Sequence, residues 1–286
     1  MSTTKSVIAN WVEQHPYLDE IASFQKILAT AWEESFEEVQ KSETFITDWE
    51  NIKKELKRGI PALRAGAAND QLIAQTKIVV IKMLDLLVNA DIPGEMKRQC
   101  QMMQDHVKAD EALLSEYIEQ VASGEEFTVA DEDQVLHGVI VFLIWSALDY
   151  VLQPLKVQVK ESQTEVKWHH EYCPVCGQLP AMAQLVKTKK GRERELVCGC
   201  CKTPWRYKRI ECPFCKNDNQ KTLNLIEMDG VTDFRIDTCD KCKGYLKTYT
   251  DEGDEQLLLS DWSTLHLDMI AKEKGFKRIG YQLYKI

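Results

Sequence analysis

Four Cys-x-x-Cys pairs constrain this chain more than anything else in it: Cys173/Cys176, Cys198/Cys201, Cys212/Cys215 and Cys239/Cys242. Two residues between cysteines let one turn of backbone aim both sulfurs at a single point, and two such turns supply four soft thiolates in a tetrahedron. Loop length indicates which turns combine. Twenty-one residues separate Cys176 from Cys198 and 23 separate Cys215 from Cys239, whereas only 10 lie between Cys201 and Cys212. The longer loops each have room for a hairpin. The economical solution is therefore a first site of Cys173, Cys176, Cys198 and Cys201 and a second of Cys212, Cys215, Cys239 and Cys242. The spacing slightly overruns the two-knuckle zinc template of about 15–20 intervening residues. Four consecutive pairs favour metal over disulfides or a lone redox motif. Both a zinc ribbon and a rubredoxin-type iron site use this geometry, so two metal ions, iron or zinc, are expected.

The flanking residues agree. Cys173-Pro-Val-Cys176-Gly177 and Cys212-Pro-Phe-Cys215-Lys216 put proline inside the turn and a small or flexible residue after it, where backbone N–H groups can face sulfur. Residues 166–250 hold 16 Lys/Arg against 10 Asp/Glu, and this excess can offset the negative charge of a four-thiolate site. It is therefore poor evidence for nucleic acid. Four thiolates also close the coordination shell, whereas catalytic metals keep a position open. The expected role of the metal is structural. Cys200 adds a third thiol within Cys198-Gly-Cys-Cys201 and reads as an inert bystander rather than an exposed redox-active group. His169 and His170 precede the first knuckle, but four cysteines already fill each site.

Longer words around the cysteines carry a family resemblance. Cys173-Pro-Val-Cys-Gly-Gln-Leu-Pro180, Leu196-Val-Cys-Gly-Cys-Cys-Lys-Thr-Pro-Trp205, Arg209-Ile-Glu-Cys-Pro-Phe-Cys215 and Cys239-Asp-Lys-Cys-Lys-Gly-Tyr-Leu-Lys247 resemble the formate dehydrogenase accessory protein FdhE family. The segment from Asp261 to Asp268 and the Gly59-Ile-Pro61 element fit the same pattern. Pro204 before Trp205 and the additional Cys200 depart from it without removing a ligand. The resemblance implies a cytoplasmic maturation factor for respiratory formate dehydrogenase, with a helical N-terminal domain and a C-terminal part holding two rubredoxin-like metal sites. The partner it implies is the catalytic subunit that carries the molybdenum or tungsten cofactor.

Length and composition set the frame. A chain of 286 residues, 44% hydrophobic, can bury a real core and suggests two domains. Its first residues show no apolar leader, which gives the expectation of a cytoplasmic protein in which cysteines stay reduced. The segment Val135 to Leu152 is strongly apolar, but its uninterrupted stretch, around Gly138 to Trp145, is too short to span a bilayer comfortably and Asp149 follows; it reads as a buried core helix, with no membrane insertion. Residues 1–165 carry 28 Asp/Glu and 15 Lys/Arg. An acidic helical half speaks for a protein partner and against general nucleic-acid binding.

Periodicity then orders the chain. Apolar residues at spacings of three and four predict helices over 4–14, 21–36, 44–58 and 69–89, the last capped by Asn69 or Asp70. One further helix is expected from Pro93-Gly94 to about Val121, and another from near Asp131 to Gln153, ended by Pro154. Cys100, Met102, Met103 and His106 read as core filling. Hairpins are expected at 182–187 with 194–197 and at 222–228 with 232–237, the latter turning at Asp229-Gly230. A helix over 265–274 and a terminal strand over 277–284 complete the list. The fold class is α+β, mainly α: a helical domain over 1–160, rubredoxin-like or zinc-ribbon modules of four cysteines each over 161–210 and 211–250, and a C-terminal helix and strand over 251–286 packed on the ribbons.

No phosphate-binding loop, nucleophile elbow or His-Glu-x-x-His motif appears, and the reading is a non-enzyme with no catalytic residues. Two alternatives accompany it. Iron–thiolate centres would suit electron or sulfur transfer. Trp205, Tyr207 and Phe214, interleaved with Lys202, Arg206, Lys208 and Arg209, would suit nucleic-acid stacking, although packing of a ribbon core accounts for them more simply. The sequence leaves homo-oligomerisation open.

Overall fold

A computed structural model describes residues 2–124, 134–189, 191–228, 231–250, 259–281 and 283. The chain forms two units, His15–Ser162 and a second made of Met1–Gln14 with Gln163–Ile286. A helical N-terminal region is followed by a sheet region containing two four-cysteine clusters.

The helical unit contains α2 (Asp19–Lys41), α3 (Trp49–Lys57), α4 (Asp70–Asn89), α5 (Gly94–Ala109), α6 (Glu111–Ser123), α7 (Gln134–Val151) and α8 (Gln153–Glu161). Helix α4 sits at its centre, packed by α2, α5, α6 and α7. Leu72, Val79, Val80, Met83 and Leu87 are fully buried along it. Asn69 caps this helix, its side-chain oxygen accepting the Leu72 N–H at 3.1 Å. Helix α7 contributes Leu143, Ile144, Ala147 and Leu148 to the same core, and Trp32 of α2 stacks on Tyr150 at 5.3 Å.

Local chemistry moved three of the expected boundaries. The helix expected from 94 to about 121 is two helices, because Asp110 leaves helical geometry at φ −137° and its carboxylate accepts the Ala112 N–H at 3.0 Å, capping α6. Pro154 does not end a helical region. It lies in the first turn of α8, where its missing N–H costs nothing, and the chain bends by 56° between α7 and α8. Asp48 caps α3 in the same way, so that helix begins at Trp49 rather than Thr44. The segment after Gly59 makes a single π-type turn, Leu63–Ala67, with Gly66 at φ 105°. The expected cap near Asp131 and the Asp229-Gly230 turn lie outside the described residues. Among the described residues no single helix is long and apolar enough to cross a membrane.

The second unit is built on one six-stranded sheet of β1 (Pro180–Thr188), β2 (Gly191–Cys198), β3 (Pro204–Tyr207), β4 (Leu223–Met228), β5 (Val231–Cys239) and β6 (Tyr245–Tyr249). Its order is β3-β2-β1-β6-β5-β4. Each ribbon is antiparallel, and the two join through a parallel seam in which Met182, Ala183 and Gln184 pair with Lys247, Thr248 and Tyr249. The sheet is thus continuous across both groups of cysteines. Helix α10 (Leu265–Glu273) covers one face, burying Leu267 and Ala271 against Met182, Phe234, Ile236 and Tyr245, and Trp11 of α1 (Ser2–Gln14) packs against the same cluster. The short helix α9 (Gln163–Val166) leads into the first knuckle.

Beneath α10 lies a closed network of buried charges. Lys247 has no exposed surface, and its ammonium contacts Asp261 at 2.6 Å and Asp268 at 2.7 Å. Arg278 bridges the same two carboxylates at 2.6 and 3.0 Å, and the Tyr245 hydroxyl donates to Asp268 at 2.6 Å. Two cations face two anions, so every charge of this network is met.

The expected terminal strand over 277–284 is absent among the described residues there. Lys277 makes one isolated bridge with Gly244, its N–H donating to the Lys243 carbonyl at 2.7 Å. The segment then runs so close to the sheet that a Cβ at Gly280 would stand 1.9 Å from the Pro180 carbonyl oxygen. Backbone approach of that kind leaves no room for a ladder partner with side chains.

Candidate metal centres

All four knuckles share one backbone design. In each, the N–H of the first cysteine donates to the carbonyl five residues on: Cys173 to Gln178, Cys198 to Thr203, Cys212 to Asn217 and Cys239 to Gly244, at 2.8–3.0 Å. In each, the residue after the second cysteine has positive φ: Gly177 at 80°, Lys202 at 56°, Lys216 at 57° and Lys243 at 57°. This left-handed residue reverses the chain and lets amides point inward. Val175 donates to the Cys173 sulfur, Cys200 to Cys198 and Gly244 to Cys242, each at 3.4 Å. Only the first knuckle uses glycine at the reversal. The three lysines accept a backbone strain of roughly 1–2 kcal/mol apiece.

These turns bring the eight sulfurs together as two clusters, Cys173, Cys176, Cys198 and Cys201, and Cys212, Cys215, Cys239 and Cys242, with every sulfur of a cluster within 4.8 Å of the others. The grouping is the one that loop length favours. In the first cluster Cys173 lies 3.5 Å from Cys201 and Cys176 lies 3.4 Å from Cys198. In the second, Cys212 to Cys242 and Cys215 to Cys239 are both 3.7 Å. A tetrahedron with metal–sulfur bonds of about 2.3 Å has edges of roughly 3.8 Å. The donor set therefore fits a thiophilic ion with little rearrangement, and every cysteine is free of disulfide bonding.

The two clusters differ in access. All four cysteines of the first are buried, whereas Cys215 and Cys242 of the second are partly exposed. Crowding splits the thiols electrostatically. Burial pushes Cys173 and Cys176 well up, while for Cys198 hydrogen bonds from Cys173, Cys176, Cys200 and Cys201 outweigh burial and hold it well down. In the second cluster burial would raise Cys239, but the Cys242 and Lys241 amides and the Asn217 carboxamide bring it to about 7. Burial pushes Cys212 and Cys242 up as well, so each cluster holds one thiol of low pKa among raised ones, and a cation bound there would have to displace protons from the raised thiols.

The remaining sequence candidates lie elsewhere. Cys200 is buried, burial and the neighbouring Cys198 push its thiol well above the usual range, and its amide serves Cys198. It is a bystander to the sulfur shell rather than an exposed thiol. His170 packs between Trp168 and Tyr172, and neither it nor His169 joins a cluster. Cys100 is buried in α5, its thiol pushed up to about 11 by burial. Trp205 is buried and its indole N–H donates to the His170 carbonyl at 3.1 Å, so its ring packs within the ribbon.

Sequence reading passed over the Lys247 network. A signal was present: strand alternation puts Tyr245, Lys247 and Tyr249 on one face, and a lysine between two aromatic residues on a buried face needs a counter-ion. Asp261 and Asp268 supply it.

Comparison with known proteins places this arrangement. Residues 210–284 match the family model described as FdhE, C-terminal domain. The chain is similar to a protein FdhE homolog of Aquifex aeolicus, 27% identical over 236 residues that cover 81% of this chain and 77% of that protein. A protein FdhE homolog of Shewanella baltica is 30% identical over 136 residues, 46% of this chain and 45% of the relative. The match thus spans less than half of the Shewanella protein. The crystal structure of the FdhE protein from Pseudomonas aeruginosa has the same fold, with a TM-score of 0.63 and 22% identity, covering 96% of this chain and 92% of that one.

Proposed function

We propose, from its similarity to FdhE proteins, that the chain is an accessory protein for formate dehydrogenase that acts in the cytoplasm by binding the enzyme's catalytic subunit during maturation. Cys173, Cys176, Cys198 and Cys201 hold one metal ion and Cys212, Cys215, Cys239 and Cys242 hold the other. The observation that carries this reading is the pair of four-sulfur cages built into one continuous sheet. Four thiolates complete the shell of either iron or zinc and leave no position for substrate. Such a centre stiffens a surface, and a stiff surface suits recognition of another protein. The test is formate-dependent dye reduction in cells lacking the gene, with the catalytic subunit followed by immunoblot. Lost activity with the polypeptide still made, restored by the intact gene and not by Cys173→Ala, is the expected result; full activity without the gene or a redundant copy refutes it.

A second reading, electron or sulfur transfer, is favoured by the partial exposure of Cys215 and Cys242. An exchange site must be reachable from solvent. Visible absorption of the purified protein separates the two, since ferric thiolate is coloured and zinc is silent. Protein holding zinc alone excludes electron transfer.

A further inference from the structure

Arg194, in β2, is a buried guanidinium that lies over the Tyr207 ring at 5.4 Å and feels the Asp237 charge at longer range, with no carboxylate at salt-bridge distance among the described residues. It is 5% exposed, its Nη2 donates to the Glu211 carbonyl at 2.6 Å, and its Nε–H is buried without an acceptor among the described residues. The nearby acids are committed elsewhere. Asp237 accepts from Arg235 and Thr248, both at 2.8 Å, and Glu211 accepts from Tyr207 and Lys208, both at 2.6 Å. Buried cations are normally paired, because the cost of removing them from water is otherwise uncompensated.

The same arginine lines a groove of about 370 Å³ beside the second cysteine cluster, together with Arg209 and Arg235. Glu211, Asp237, Asn224 and Thr238 line it too, and its apolar walls include Ile210, 51% exposed, Leu225, 53% exposed, and the half-buried Phe214. A small inorganic anion would leave those walls unused. A negative group carried between apolar side chains satisfies both.

From this charge and wall pattern we propose that the groove receives an aspartate or glutamate side chain, flanked by apolar residues, from a polypeptide partner, with Arg194 as the guanidinium that takes the carboxylate. The proposal deepens the protein-binding reading above and rests on it. Long-range compensation of the nearby thiolates by Arg194 is the competing account, but that role does not supply the Nε–H with an acceptor.

The test uses the full-length, metal-loaded chain labelled with ¹⁵N and three probes: acetyl-Leu-Glu-Leu-amide, the same peptide with glutamine, and inorganic phosphate. Arginine Nε–H resonances are followed, that of Arg194 being the one missing from Arg194→Met. The glutamate peptide is expected to move this resonance and to bind about tenfold or more tightly than the glutamine peptide, as a charge-assisted hydrogen bond requires. Leu225→Glu, on an exposed wall, is expected to weaken the glutamate peptide about tenfold with both metal ions retained. Equal binding of the two peptides, an equal response to phosphate alone, or unchanged binding by Leu225→Glu overturns the proposal. So does Arg194→Met if it releases the second metal ion while its preference for glutamate survives. Capture of the catalytic subunit by a chain that ignores the peptides would sink only the groove; peptide binding without capture would instead sink the accessory reading.

Discussion

Lys247→Met removes one of two cations from a network that contains two carboxylates. Lys247 has no exposed surface and touches Asp261 and Asp268 at 2.6 and 2.7 Å, so the variant leaves both anions to share Arg278. Removing one partner of a buried ion pair costs about 3–5 kcal/mol. For a unit of this size each kcal/mol lowers Tm by roughly 3 °C, giving a fall of about 9–15 °C. The effect has a pH signature. Burial alone would raise the Asp261 carboxyl, but Lys247 and Arg278 hold it well below the usual carboxylate range. A depressed folded-state pKa contributes stability that is complete above the unfolded value of about 4 and is lost as pH falls through the folded one. Between pH 8 and pH 5.5 the wild-type chain keeps this contribution in full. In Lys247→Met, two carboxylates around one arginine push one of their pKa values up, so acid protonates it and the penalty shrinks toward pH 5.5. Thermal unfolding followed by circular dichroism, with metal content checked at both pH values, measures both effects. Adding Asp268→Asn to the variant should recover more than about 1 kcal/mol, the usual scale of coupling between contacting groups. A loss below about 1 kcal/mol, or a penalty that does not change with pH, would refute the reasoning.

Chelation should abolish the strand signal of the sheet unit and leave most of the helical signal, since metal binding and folding are coupled in small thiolate sites; far-ultraviolet circular dichroism before and after a strong chelator reads this. Cys242→Ser should lower bound metal from two ions per chain to one by elemental analysis, because the two clusters share no ligand. Lys216, at φ 57°, sits where glycine is at ease. Lys216→Gly should change stability by less than about 1 kcal/mol, whereas the β-branched Lys216→Val should cost about 2 kcal/mol in a chemical denaturation series.

The clusters were legible because their geometry is written in local spacing: two residues fix a knuckle, and loop length selects its partner. Helices α2, α4 and α7 were legible for a similar reason, since their apolar periods run for several turns. What escaped depends on competition at single residues or on distant strands meeting. Asp110 could continue a helix or cap one, and its carboxylate took the cap. Pro154 could stop a helix or start one, and the bend after α7 settled it. No local pattern announces that Met182 will lie beside Lys247 or that Lys247 will meet Asp261.

The seam between β1 and β6 also sets an order of assembly. Each ribbon closes a short loop around its own cysteines, a step that needs only nearby residues and an ion. Joining them brings together strands from opposite ends of the ribbon region, with the whole second hairpin between them. Non-local pairing of this kind is slow, because loop entropy is lost before any contact is gained. Refolding with metal present should therefore begin with two fast, independent local events and finish with one slower step shared by both ribbons. During the interval the unpaired edges of β1 and β6 are open to other strands, which makes the half-assembled chain the form most exposed to aggregation.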